Sequence, residues 1–513
     1  MTADPTMIPA GPTSPDRPYD PADAGPVPAG ASHEPPPPAG EELVRQVAAA
    51  QRGAGAHALV RAFAANPAFR AAEWEELTTE DNPYRRPVRP ADLGWLDYAT
   101  PLPAADALTL SGLLGHRMLR NIYDADLHHL PPARNAAAER DAADFHSPDN
   151  RLRGALAQPV LENHLFGFLA GERRALPDAT PGGLLATLRG YWEELRDAPG
   201  DVFAVLRGTR DRREATTFAL LQLSAYLPAA RTAIARASLG EYDLALPGAR
   251  ALLLDDYRRW VAGAADWRAL LAGGGLTSTV GAYWQLYLNT SLARGNHLHQ
   301  LSRAPGRHAE LLGAFVHQRL HDAAVAGAWA DAVEDGLGER PALFAPDGPG
   351  APPPVTPAAL DDLAGALLVP LAEHGGDAAL DAFHAGFADA AHLARLHDRD
   401  LAAQLAWADA IDEHKAKAEA INAYLTDERI EVDLDTFVES CDETSTTHVH
   451  DEHRLVMIET GDMHFWNNVT HRISLRDGDR ILIPKSRLHG STVLSGSCTY
   501  HQPIIPDEMY RRF

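Results

Sequence analysis

The chain has 513 residues, two cysteines and a formal net charge of −24, from 46 basic and 70 acidic side chains. That length accommodates two to four domains, and so acidic a balance is a poor match for nucleic acid or an anionic membrane surface. Two cysteines, Cys441 and Cys498, exclude a disulfide framework. With no basic-then-apolar leader and no apolar run near the ~18 residues that span a bilayer, the expectation is a soluble cytoplasmic protein.

Residues 1–40 are rich in Pro, Ala, Gly and Asp and include Pro35-Pro36-Pro37-Pro38, a composition that buries too little apolar surface to order itself. Residues 41–150 read as short helices between Pro-rich turns such as Asn82-Pro83-Tyr84 and Thr100-Pro101-Leu102-Pro103. From 151 to 425 Ala, Leu and Arg recur with a helical period, as over 160–170, 216–238 and 309–329. A Pro/Gly-rich insertion at 337–357 separates two helices, and a last helical stretch covers 377–424.

Strand-like sequence begins near Arg429, so residues 426–513 form a separate β region. Residues 454–458 and 473–475 are rich in β-formers, and 480–483 is an apolar run closed by Pro484. Gly461-Asp462 and Arg476-Asp477-Gly478-Asp479 supply the turns between them. The fold class expected is α+β multidomain, an all-α bundle followed by a small β-barrel.

The chemistry concentrates in that barrel. His448 and His450 are two residues apart, so on a strand both imidazoles project from one face. His489, from a later strand, completes a three-imidazole face for a divalent metal with positions left open. In a chain with 24 His a His-x-His pair alone carries little weight. Two ordered spacings carry more: His448-x-His450 is followed by Arg454, six intervening residues and Gly461; Gly478 is followed by five residues, Pro484, four residues and His489.

These spacings resemble the two signature motifs of the cupin family, which implies an antiparallel barrel holding its metal with His448, His450 and His489. Arg454 stands where the family usually has a metal-binding Glu, so the implied set lacks the carboxylate. A guanidinium there suits an anionic substrate group. Trp466, Tyr500 and His501 are the other candidate substrate contacts, with Tyr500 also a hydrogen-bond or proton donor. The plainer reading places Trp466 and Tyr500 in the barrel core and Arg454 in solvent.

A helical bundle joined to a cupin resembles the N-nitrosourea-forming enzymes of streptozotocin biosynthesis. The bundle's share of the resemblance rests on Gly240-Glu241-Tyr242-Asp243, Asp255-Asp256-Tyr257, Asn296 and Gly313. The resemblance implies an N-terminal helical dimerisation region and a haem-oxygenase-like diiron domain that hydroxylates guanidine nitrogens. It also implies a three-His iron cupin that rearranges the product oxidatively to form an N–N bond.

The helical part departs from that pattern where metal ligands belong. Residues 216–238 contain no Asp, Glu or His, Asp266-Trp267 occupies the place of an expected His, and His317 stands for a Glu. The family's His-x-x-x-Asp-x-x-His finds Asp377, Asp381 and His384, or else His397 with Leu401 and Gln404 at the other two positions. Two readings stand: a rebuilt metal site of Asp256, His317, Asp377, Asp381 and His384, or a degenerate domain in which these are ordinary polar positions. The empty ligand positions favour the second. His384, His392 and His397 are then solvated or capped, and His128, His129, His297 and His299 belong to surfaces or loops.

The functional expectation is a cupin oxidoreductase that uses Fe(II), or another divalent metal, and O2 on a small nitrogen-containing metabolite. Oxidative rearrangement or N–N bond formation in specialised-metabolite biosynthesis is the reaction implied, in a homodimer with no nucleic-acid or membrane partner. The alternatives are a cupin dioxygenase that cleaves a C–C bond and a non-catalytic metabolite-binding cupin on a helical oligomerisation platform.

Overall fold

The change of period seen in the sequence is sharp in the chain itself. The last long helix ends at Asp427, and Arg429 then takes a left-handed φ of 54° that turns the backbone out of the helix. The computed structural model describes residues 48–49, 51, 54–66, 88, 93, 96–127, 136–240, 246–279, 281–345, 348, 350–441, 445–467 and 472–513. The tail at 1–40, Asn82-Pro83-Tyr84, His128-His129 and Glu241-Tyr242-Asp243 lie outside those residues.

The helices that frame the site are α1 (Leu110–Asp124), α2 (Pro181–Asp197), α3 (Arg212–Ala237) and α4 (Pro247–Ala262). They continue with α5 (Asn289–Ser302), α6 (His308–Leu337), α7 (Val369–Asp409) and α8 (Ile411–Asp427). Asp211 caps α3 by accepting from the Glu214 amide at 3.0 Å, and Thr180 caps α2 by accepting from Gly183 at 3.1 Å. Helix α6 ends on Gly338 at φ 88°, where the Pro/Gly-rich insertion begins. The expected 377–424 helix is two: α7 kinks at Gly376 (φ 62°) and gives way to α8 at Ala410.

Helix α5 is buried along almost all of its length, from Asn289 to His299 and again at Leu301. Around it the core is mostly leucine and alanine, and it includes Val449, Trp466 and Leu488 from the strand region. The bundle and the strands therefore share a hydrophobic core. Helices α6 and α7 approach so closely that a Cβ on Gly313 would lie 1.9 Å from the Phe383 carbonyl oxygen.

The strands are antiparallel. In one sheet the order is β1 (Thr436–Ser440), β7 (Ser497–His501), β2 (His453–Thr460), β5 (Arg480–Ile483), and β8 (Ile504–Ile505) also pairs with β2. In the other the order is β4 (Arg472–Leu475), β3 (Met463–Trp466), β6 (Gly490–Val493). Val456, Ile458 and Ile481 from the first sheet meet Phe465, Ile473 and Val493 from the second in one core. Regular strand starts at Thr436 rather than near Arg429. The motif glycines Gly461 and Gly478 adopt φ 99° and 83°, a region that L side chains rarely enter. Cys441 is exposed and Cys498 buried, and neither forms a disulfide. Among the described residues no helix is long and apolar enough to cross a membrane.

Candidate metal centre

The segment 445–450 runs antiparallel to 486–491. His448 and His489 exchange main-chain hydrogen bonds at 2.9 and 3.1 Å, Ser445 donates to the Ser491 carbonyl at 2.9 Å, and Ser486 donates to that of His450 at 2.8 Å. Alternation then sorts the side chains. His448 and His450 face the space between the strands, while Val449 and Leu488 enter the bundle core. Direct pairing sets His489 beside His448, with ring centroids 4.5 Å apart; His448–His450 and His450–His489 are 4.8 and 5.0 Å. One donor atom from each of the three lies within 4.8 Å of the others.

The imidazoles are oriented by main-chain carbonyls. Nδ1 of His448 is 2.8 Å from the Thr446 oxygen, and Nδ1 of His489 is 2.9 Å from the Arg487 oxygen. A carbonyl only accepts, so each Nδ1 carries the proton and each Nε2 keeps its lone pair. The Nε2 atoms of His450 and His489 are buried without a hydrogen-bond partner among the described residues. Burial, reinforced by the neighbouring imidazoles, holds the pKa of His450 well below its usual value and lowers that of His489 to about 3. The unsatisfied Nε2 atoms of His450 and His489, converging with a ring nitrogen of His448, are a donor set that fits a divalent metal.

The main chain beside these imidazoles is gripped from the helices. Arg117 on α1 donates to the Thr447 carbonyl at 2.7 Å and to its Oγ1 at 2.9 Å. The Gln285 side-chain oxygen accepts from the Thr447 amide at 3.0 Å and its hydroxyl at 2.8 Å. Gln404 on α7 pairs with both main-chain groups of Leu488 at 2.9 Å. Arg487 donates to the Asp400 carbonyl at 3.0 Å and its carboxylate at 3.2 Å, and that carboxylate also accepts from Thr290 at 2.9 Å.

The three His border a cavity of about 620 Å³ whose wall, among the described residues, carries Asp435, Glu439, Asp451, Glu452 and the cation Arg454. Arg454 is not in solvent. It donates to Asp435 at 3.0 Å, the Gln502 carbonyl at 3.1 Å and Glu452 at 3.4 Å, so protein acceptors already hold it. Tyr500 also lines the cavity and donates to Glu439 at 2.8 Å. Trp466 and His501 are absent from the cavity's lining. The Trp466 ring packs over Gly490, where a Cβ would come within 2.4 Å of it. His501 is one residue out of phase with Tyr500 and bonds to Thr436 Oγ1 at 2.9 Å.

The five helical candidates do not converge. Asp256 is ion-paired to Arg259 at 3.5 Å, His317 shares a 2.7 Å hydrogen bond with the Tyr191 hydroxyl, Asp377 and Asp381 are exposed, and His384 is half-buried. Among the described residues, the three imidazoles of the strand region are the one group suited to hold a metal. The placement of the other histidines needs correction: His297 and His299 are buried in the bundle rather than on surfaces or loops, and His397 is buried rather than solvated. His299 stacks on Tyr123 at 5.3 Å, His297 lies 3.8 Å from Asp389, and His397 contacts Thr290 at 3.1 Å.

The positioning residues Arg117, Gln285, Asp400 and Arg487 have no motif in the sequence. Gln404 figures there as a vacant ligand position, although its amide is what the strand beside His489 requires.

No protein-family model matches the chain. Over 472 residues it is 28% identical to the nitrosourea synthase of Streptomyces achromogenes subsp. streptozoticus, in an alignment covering 88% of this chain and 95% of that one. The similarity therefore spans the helical and the strand-rich regions alike.

Proposed function

We propose that this chain is a metal-dependent, cupin-type oxidoreductase, using iron and O2, that acts on a small nitrogen-containing metabolite in specialised-metabolite biosynthesis. The observation that carries the reading is the convergence of one ring nitrogen each from His448, His450 and His489, with the Nδ1 atoms of His448 and His489 tied back to main-chain carbonyls. Similarity to a nitrosourea synthase along both regions supports oxidative rearrangement with N–N bond formation as the reaction class.

The three imidazoles hold the metal, and a bound Fe(II) supplies O2 binding and oxidation at the positions they leave open. The acidic wall selects the substrate. Asp435, Glu439, Asp451 and Glu452 outnumber Arg454, which suits a cationic or proton-donating nitrogen better than a carboxylate. Arg454 organises those acids, and the Tyr500–Glu439 pair holds a proton at the edge of the cavity. In this reading the helical domain assembles no metal group, and the chain takes a substrate already N-hydroxylated by a separate enzyme. A homodimer formed through the N-terminal helices belongs to the same proposal.

The test is to incubate iron-loaded protein and O2 with an N-hydroxylated guanidino amino acid carrying ¹⁵N at its guanidine nitrogens. The reading expects an O2-dependent product with two adjacent ¹⁵N atoms, abolished in His448→Ala. A product cleaved at a C–C bond, or no O2-dependent turnover, overturns it.

A further inference from the structure

Helix α1 begins without a side-chain cap of its own. Thr109 precedes it with extended backbone, and its hydroxyl donates to the Asp106 carbonyl at 2.7 Å rather than accepting from the helix's opening amides. The Leu110 amide, the first of these, donates instead to Asp451 Oδ1 at 2.9 Å. That acceptor lies 341 residues along the chain and directly follows His450. A carboxylate at this end of a helix also meets the positive end of its dipole.

Two turns further along α1, Arg117 holds the other end of the same arm. Its side chain is fully buried and donates to the carbonyl and hydroxyl of Thr447, the residue before His448. Seven helical residues advance ~10 Å and four extended residues ~13 Å. One face of α1 therefore runs beside residues 447–451 and grips them on both sides of His448-x-His450. The arm belongs to neither sheet. Its cross-strand pairing, among the described residues, is the bridge of His448 with His489 and the flanking bonds at Ser445 and His450.

Helix α1 is well placed to act as a template. Every residue from Ser111 to Asp124 is buried, and Leu110 itself borders the three-imidazole cavity. Whatever fixes residues 447–451 also fixes the first turn of α1, and the reverse holds equally. Asp451 belongs to the cavity wall as well, and this contact engages one of its two oxygens.

We infer that Asp451 and Arg117 are positioning residues that couple the three-imidazole centre to helix α1. A divalent metal held by His448, His450 and His489 orders the start of α1, and the clasp by α1 strengthens metal binding by the same factor. The inference rests on the reading of those imidazoles as a metal centre. It makes a helix from the N-terminal part of the chain a working part of that centre.

The test uses the full chain, metal-free and with one equivalent of Fe(II) under anaerobic conditions. Hydrogen–deuterium exchange is followed over residues 110–116, and iron affinity is measured by competition with a chromophoric chelator. Iron should slow exchange over 110–116 at least threefold in wild type and not in His448→Ala. Iron affinity should fall at least fivefold in Asp451→Ala and at least tenfold in Arg117→Met. Asp451→Asn, whose side-chain oxygen still accepts from Leu110, should stay within twofold of wild type. Asp451 is exposed, so its variants carry the test even if Arg117→Met does not fold. A cap with no role at the metal centre would speed exchange in Asp451→Ala equally with and without iron. That result, or iron binding that needs His448 yet keeps its affinity in Asp451→Ala, overturns this inference alone. Failure to bind iron, or binding indifferent to His448, overturns the metal-centre reading and this inference with it.

Discussion

Gln404, on a helix of the bundle, pairs with the main chain of Leu488 as a neighbouring strand would: its side-chain oxygen accepts from the Leu488 amide and its nitrogen donates to the Leu488 carbonyl, both at 2.9 Å. Leu488 immediately precedes His489, so one buried glutamine fixes the approach of an imidazole of the candidate metal centre. Gln404→Leu removes the partner of the Leu488 amide and of the Leu488 and Asn467 carbonyls, at about 1–3 kcal/mol for each group left unsatisfied. It should lower the melting temperature by several degrees and weaken metal affinity about 10–100-fold, as loss of a ligand-orienting contact does. Thermal melting with competitive metal titration checks both effects. Destabilisation with unchanged metal affinity would reduce Gln404 to a packing role.

A second prediction concerns the crossing of α6 and α7. A Cβ added at Gly313 meets the Phe383 carbonyl oxygen at 1.9 Å, and one at Gly386 meets the Glu310 carbonyl oxygen at 1.9 Å. The obstructing atoms are backbone, so no rotamer change relieves them. Gly313→Ala should destabilise the chain by about 3 kcal/mol despite alanine's better helix propensity. Denaturant unfolding of the variant is the check, and a neutral or stabilising outcome contradicts the close crossing.

The third follows from Asp322, whose pKa burial raises from 3.8 to about 6. The groups around it are Arg259 and Asp256 on α4, Arg294 on α5, His321 on α6, His397 and Arg395 on α7, and the phenols of Tyr191 and Tyr226. A carboxyl with a raised folded pKa favours the fold in its protonated state. The fold is therefore relatively stronger below pH ~4 and loses that advantage as pH rises through about 6. Asp322→Asn keeps the neutral form at every pH. It should stabilise the unliganded protein at pH 8 by no more than about 3 kcal/mol, with the gain vanishing near pH 4. Melting temperatures of both proteins between pH 4 and 8 measure this, and a gain independent of pH would exclude ionisation as its cause.

The strand region was legible in the sequence because its signals are local. A period of two puts His448 and His450 on one face, and Gly461 and Gly478 mark turns that need positive φ. Burial in the bundle was not legible. Helix α5 is covered on nearly every side, so its polar residues, His297 and His299 among them, show no solvent-facing stripe. The positioning role of Gln404 was hidden for a related reason: its partner is backbone, and backbone leaves no mark in the sequence. The two sides of β7 likewise separate Tyr500 in the cavity from His501 outside it, a distinction set by register.

Metal stoichiometry per chain bears most directly on the central claim that His448, His450 and His489 form the metal centre and the bundle holds none. It is measured by elemental analysis after anaerobic iron loading and desalting, on wild type and on His448→Ala. The account predicts about one iron per wild-type chain and close to none in the variant, with the fold retained by circular dichroism. About three irons in wild type, two of them surviving the substitution, would contradict it and return a metal site to the helices.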